Sequence, residues 1–147
     1  MHEKYDPLER LLQEHRQELA EHEGLTPDAI DARIEDGRMV LLANPAHEGC
    51  LPTLIGQPAR IKINANIGTS PFLNDPELES AKLRAADEAG AHTVMDLSTG
   101  GDLDAIRKRM IRETRLPLGT VPLYSVAQKY ILHGDDPALM SISEIME

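Results

Sequence analysis

Leu8, Leu11, Leu12, His15 and Leu19 recur at the three- and four-residue spacing of a single helical face. Ahead of them, Asp6-Pro7-Leu8-Glu9 reads as an N-cap, a proline in the first turn and a reciprocating glutamate, and Gly24 reads as the stop. Thr26-Pro27 opens a second helix, which carries Ile30 and Ile34 and ends at Gly37. Arg38-Met39-Val40-Leu41-Leu42 predicts a short strand. From Ala43 to Pro58 the composition shifts to Asn, Pro, Gly and His, which predicts a long loop and a subdomain boundary. The expected organisation is a small helical N-terminal segment with its short strand and loop, residues 1–58, followed by a second part, residues 59–147.

The second part has a different rhythm. Arg60 to Asn66 alternates with a period of two and places Ile61, Ile63 and Ala65 on one strand face. Asn74 or Asp75 caps the next helix, with Pro76 in its first turn, a small-residue stripe of Ala81, Ala85 and Ala89, and Gly90 as its close. His92 to Leu97 predicts a second strand. Asp102 caps a helix whose Leu103, Ile106 and Met110 face the core. Leu118 to Leu123 predicts a third strand, interrupted by Gly119 and Pro122; residues 126–132 are helical. Ser141 and Glu144 make a capping box for a last helix that Glu147 cuts off. Strands alternating with helices imply parallel pairing through right-handed crossovers. Asn66, Met95 and Tyr124, each beside a strand end, follow one another at intervals of 29 residues. A fixed βα period suits a (β/α)8 barrel or a doubly wound sheet. Three strands cannot close a barrel, and the cut final helix favours the front part of something larger.

Composition narrows the function. Twenty-five acidic residues against fifteen basic ones give a formal charge of −10, which disfavours nucleic acid as a main partner. The longest apolar run, Met39 to Ala43, is far short of the ~20 residues that span a bilayer, and the N-terminus lacks a signal-peptide stretch. A cytoplasmic protein without a membrane partner is expected. Cys50 is the only cysteine. It cannot form a disulfide within the chain, and alone it cannot hold an iron–sulfur cluster or a structural zinc ion.

In parallel α/β architectures ligands sit at the carboxyl ends of the strands, so three loops matter most. Asn64-Ala65-Asn66-Ile67-Gly68-Thr69-Ser70 offers a dense set of donors and acceptors for a polar ligand, or plain turn chemistry. In Met95-Asp96-Leu97-Ser98-Thr99-Gly100-Gly101-Asp102, Asp102 already caps the helix and would repel a phosphate. Asp96 is the better polar candidate there, or else a strand-end carboxylate bonding the neighbouring loop. In Gly119-Thr120-Val121-Pro122-Leu123-Tyr124, the tyrosine can present its hydroxyl into a cleft or pack as an aromatic with a wet tip. The remaining candidates read mainly as structural. His47-Glu48-Gly49-Cys50 has metal-ligand residue types without a second pair and reads as a solvated loop. Lys62 reads as a surface lysine ahead of a Schiff-base one. His92 reads as structural, His15 as a packed imidazole, and Arg107-Lys108-Arg109 with Arg112 and Arg115 as a solvated basic face.

Three strings, Lys62 to Ser70, Thr93 to Gly100 and Gly119 to Tyr124, together resemble the phosphomethylpyrimidine synthase (ThiC) family of thiamine biosynthesis in order and spacing. The resemblance covers roughly residues 38–133. It implies the front part of a (β/α)8 (TIM) barrel, about three parallel βα units, in a cytoplasmic radical S-adenosylmethionine lyase. The family rearranges aminoimidazole ribotide into hydroxymethylpyrimidine phosphate, using S-adenosylmethionine and a 4Fe–4S cluster on a C-terminal Cys-x-x-Cys-x-x-x-x-Cys motif, with zinc on two histidines. By motif position, its first three substrate contacts fall on Asn66, Met95 and Tyr124. The family's other substrate residues, zinc histidines and cluster cysteines have no counterpart in these 147 residues. The chain alone is therefore expected to hold no metal or cluster and to be inactive, with no catalytic residue assigned. A homodimer fits the full-length enzyme. Leu42-Ala43-Asn44-Pro45-Ala46-His47 departs from the Pro-Ala-Asn-Ile-Asn-His of many members. That departure leaves open a close paralogue, the hydroxybenzimidazole synthase of cobamide synthesis, which uses the same ribotide. A non-catalytic binding or interaction module is the third reading.

Overall fold

The computed structural model describes residues 6–146, the side chain of Asp6 excepted. Helix α1 (Asp6–Glu23) ends against Gly24, which takes the left-handed φ of 69° that a non-glycine residue resists. The cap expected of Asp6 rests on a side chain outside the described residues. Thr26 accepts a hydrogen bond from the Ala29 amide and opens α2 (Pro27–Glu35) as expected. Arg16 clamps the two helices by pairing with Asp28 and Asp31. Strand β1 (Met39–Leu42) follows. The stretch expected to be loop contains a second strand, β2 (Thr53–Gly56), antiparallel to β1 with Met39 opposite Gly56 and Leu42 opposite Thr53. Its four residues, set between Pro52 and Pro58, are too few for their periodicity to show in the sequence. Leu19, Ala20, Ile30, Met39 and Leu54 pack into one core cluster.

Strands β3 (Asn64–Ile67), β4 (Thr93–Asp96) and β5 (Leu118–Thr120) form a parallel sheet in that order, joined by helices α3 (Pro76–Glu88) and α4 (Leu103–Glu113). Helix α5 (Pro122–His133), a 3-10 turn (Pro137–Leu139) and α6 (Ile142–Met146) follow. The expected α/β class with parallel βα units is present. Ile67 and Val94 point to the helix side and pack with Leu83, Ile106, Met110 and Leu116; each such burial is worth roughly 1.5–3 kcal/mol. The caps follow the sequence closely. Asp75 accepts from the Glu77 and Leu78 amides, Asp102 from Ala105, and Ser141 and Glu144 bond reciprocally.

Three further elements differ from expectation. Strand β3 starts at Asn64, so Ile61 and Ile63 lie outside the ladder, 94% and 61% exposed. The cause is a tether: Glu23 accepts from the Arg60 amide at 2.7 Å and pairs with Lys62 at 2.8 Å, holding residues 60–62 against the end of α1. Ala81, Ala85 and Ala89 are exposed, because α3 buries Glu79, Ser80 and Leu83 instead. Strand β5 stops at Thr120, since Pro122 has no amide for a ladder and starts α5, which makes Leu123 and Tyr124 helical.

Candidate functional site

Side chains alternate across a strand, so the residues between those of the core project from the opposite, open face of the sheet. On that face Asn64 lies opposite Thr93 and Asn66 opposite Met95, with Gly119 of β5 opposite Met95 on its other side. Leu42, Ala43 and Asn44, at and just after the end of β1, bound a cleft of about 150 Å³ with Asn64, Thr93, Met95, Leu118 and Gly119. A β-carbon on Gly119 would sit 3.0 Å from Sδ and 3.1 Å from Cε of Met95, so the thioether lies directly against β5. Gly119→Ala is expected to push the Met95 side chain away from β5 while costing less than about 1.5 kcal/mol, because methionine repacks readily. A moved Met95 methyl resonance with a nearly unchanged melting temperature is the outcome to look for.

The loops behind the open face are locked by buried polar groups. Asp96, fully buried at the end of β4, accepts from the amide and hydroxyl of Ser98 at 2.9 and 2.5 Å through Oδ1, and from Nε of Arg107 at 3.0 Å through Oδ2. Arg107 in turn donates to Ser125 Oγ at 2.6 Å, which ties α4 to α5. The Ser98 hydroxyl accepts from the Thr69 amide, Thr69 Oγ1 donates to the Gly100 carbonyl, and the Thr99 amide donates to the Thr69 carbonyl. Buried Glu79 accepts from the Gly68 amide at 2.7 Å and pairs with Lys82. Gln128 of α5 donates to the Gly101 carbonyl at 2.9 Å. Hydrogen bonds therefore tie the two loops and α5 to one another around the strand ends.

The expected site residues are placed as follows. Asn66 and Met95 are neighbours on adjacent strand ends, and Tyr124 stands in the first turn of α5, just beyond β5. Asp96 takes the loop-bonding role. Its carboxylate is consumed by Ser98 and Arg107 and points away from the open face. Lys62 is not a surface lysine: its side chain is 10% exposed and its Nζ is held by Glu23 and by the Arg60 carbonyl, just ahead of the amino end of β3. The loop from His47 to Cys50 is not solvated throughout. His47 is buried with Nε2 2.8 Å from the Thr114 carbonyl oxygen, and Cys50 is buried too. His92 is structural, accepting from the Ile63 amide through Nδ1, whereas His15 is half-exposed beside Glu18. The basic run is not a free face either. Arg107 is consumed by Asp96. Arg109 grips Glu77 and Glu113, and those hydrogen bonds hold both carboxyls below their usual range. A larger groove of about 640 Å³ runs between α1 and α2, away from the strand ends. Sequence reasoning took Asn64 only as part of its donor-rich loop and passed over Thr93 and Glu79. The i, i+2 spacing of Asn64 and Asn66 signals their shared face, whereas nothing local marks Glu79 as buried.

Among the described residues no group of three or more His, Cys, Asp or Glu side chains is arranged to hold a metal ion. Cys50 supplies a single, buried thiol, whereas an iron–sulfur cluster takes several thiolates. The residues present do not fit such a group. Among the described residues no helix is long and apolar enough to cross a membrane.

A parallel βα sheet with polar side chains at its strand ends, backed by hydrogen-bonded loops, is the layout in which α/β proteins place their ligand sites. The chain belongs to the radical SAM ThiC family, whose model matches residues 7–147. It is 44% identical to the phosphomethylpyrimidine synthase of Methanopyrus kandleri over 88% of this chain and 32% of that protein. It is 40% identical to that of Pyrococcus abyssi over 79% of this chain and 27% of the relative, and 46% identical to that of Desulforamulus reducens over 72% and 24%. The chain thus spans a third or less of the length of these curated relatives.

Proposed function

We propose that this chain forms the first βα units of a (β/α)8 barrel in a phosphomethylpyrimidine synthase. In this reading its strand ends bind aminoimidazole ribotide for conversion to hydroxymethylpyrimidine phosphate in thiamine biosynthesis. The observation that carries the reading is the register of the sheet: Asn66 and Met95, matched by motif position to the family's first two substrate contacts, are direct neighbours on the open face. Asn66 hydrogen-bonds a polar edge of the ligand, Met95 packs against its ring, and the Tyr124 hydroxyl reaches a phosphate or hydroxyl oxygen. The names of the relatives favour the pyrimidine product over the benzimidazole one. A 4Fe–4S cluster and S-adenosylmethionine supply the radical chemistry of the whole enzyme, and the cluster thiolates come from outside these 147 residues. The work of this chain's own residues is binding and orientation.

Calorimetric titration of the ribotide into the full-length protein tests this. Asn66→Ala is expected to weaken binding most, by about 1–3 kcal/mol, because a ligand polar group loses its partner. Tyr124→Phe should weaken it without unfolding the protein, and Met95→Leu should be mild because volume is nearly conserved. If Asn66→Ala and Tyr124→Phe both bind like the parent, these residues are strand-end packing and the reading fails.

A further inference from the structure

A primary amide has two faces of opposite character: a carbonyl oxygen that accepts and an NH2 that donates. Which face Asn66 offers on the open side of the sheet decides which ligands fit. In the structure the Asn66 carbonyl oxygen accepts from Nδ2 of Asn64 at 2.7 Å, and the Asn64 carbonyl oxygen accepts from the Thr93 hydroxyl at 2.9 Å. The three side chains share the open face, with Asn64 and Asn66 on β3 and Thr93 paired to Asn64 across the ladder. Both links run in one direction, from the hydroxyl through one amide to the next. The Asn66 oxygen is therefore consumed, and its NH2 has no partner among the described residues.

We propose that Asn64, anchored by Thr93, is a positioning residue that fixes the polarity of the Asn66 amide, so that the open face presents N–H donors beside Met95 and selects a ligand with an acceptor atom at that point. An unprotonated ring nitrogen or a sugar oxygen satisfies it; a ring N–H in the same place meets a donor and is rejected. The inference rests on the reading of Asn66 as a ribotide contact, but the polarity itself belongs to the free protein.

Asn64→Asp separates the two. It is nearly isosteric and can still accept from Thr93, but a carboxylate cannot donate to the Asn66 oxygen. The Asn66 amide then turns its NH2 to Asp and its oxygen to the ligand side. Asparagine-labelled full-length protein is examined by nitrogen–proton correlation spectra with and without aminoimidazole ribotide. In the parent, the Asn66 side-chain NH2 signals should shift when ribotide is added. In Asn64→Asp they should already be displaced in the free protein and should no longer respond. Ribotide affinity should fall about tenfold, the loss of one donor to the ligand. Thr93→Val, which adds no charge, should weaken binding in the same direction by about threefold. The Asn64→Asp loss should persist in high salt, where simple charge repulsion of a phosphate would fade. Unchanged Asn66 NH2 signals in free Asn64→Asp overturn the proposal whatever the ligand does. A parent that binds no ribotide overturns the ligand half together with the reading above, while displaced signals in free Asn64→Asp still uphold the polarity.

Discussion

Asp96→Ala is expected to destabilise the protein by about 3–5 kcal/mol, since removing one partner of a buried ion pair strands the other charge. The Arg107 side chain is 14% exposed, and its NH2 nitrogen is buried without a partner even in the parent. Without Asp96 its Nε is stranded as well, and the Ser98 amide and hydroxyl lose their acceptor. Asp96→Asn should cost less, because an amide oxygen can still accept from Ser98. In the double variant Asp96→Ala with Arg107→Met the cost should fall well below the sum of the single changes, since no unpaired charge is left. Urea unfolding of the parent, Asp96→Ala, Asp96→Asn, Arg107→Met and the double variant measures this. An Asp96→Ala loss under 1 kcal/mol, or costs that simply add, would show that the pair does not lock the loops.

How much of this was legible in the sequence depends on how local each cause is. The starts at Thr26, Asp75 and Asp102 and the box at Ser141 and Glu144 are written within four residues, and the structure keeps all of them. The parallel βα order follows from elements alternating along the chain. What failed has non-local causes. Ile61 and Ile63 alternate like a strand face, yet Glu23, some forty residues earlier in the chain, draws residues 60–62 onto α1. The exposed alanine stripe of α3 lost to a face holding Glu79, which is buried only because the Gly68 amide and Lys82 satisfy its carboxylate. Arg107 reads as one more cation on a basic helix until Asp96 is found beside it. In the candidate site, the 29-residue interval placed Asn66 and Met95 correctly side by side. The same interval separates Asn64 from Thr93, which pair across the ladder, but it says nothing about the direction of the two hydrogen bonds on which the importance of Asn64 rests.

Gly68→Ala is expected to cost about 2–5 kcal/mol, combining backbone strain with overpacking against atoms that cannot yield. Gly68 follows β3 directly with φ at 150°, a conformation that side chains rarely adopt. An added β-carbon would lie 2.5 Å from the Ser98 nitrogen and 2.6 Å from the Leu97 carbonyl carbon. Those backbone atoms are held by the Leu97 amide on the Ile67 carbonyl at 2.8 Å, the Thr99 amide on the Thr69 carbonyl at 2.9 Å and the Ser98 amide on Asp96. Relief requires the ends of β3 and β4 to separate, at the place where Asn66 and Met95 stand together. Ribotide binding should therefore weaken even at temperatures where the variant is folded. Gly134→Ala is the matched control, because Gly134 has a positive φ of 78° but open space around its missing β-carbon. Its cost should be the backbone term alone, roughly 1–2 kcal/mol, with ribotide affinity unchanged. Unfolding curves and ribotide titrations of both variants decide the matter. If Gly68→Ala is no less stable than Gly134→Ala and binds as tightly, the close approach of the two loops does not hold the site together.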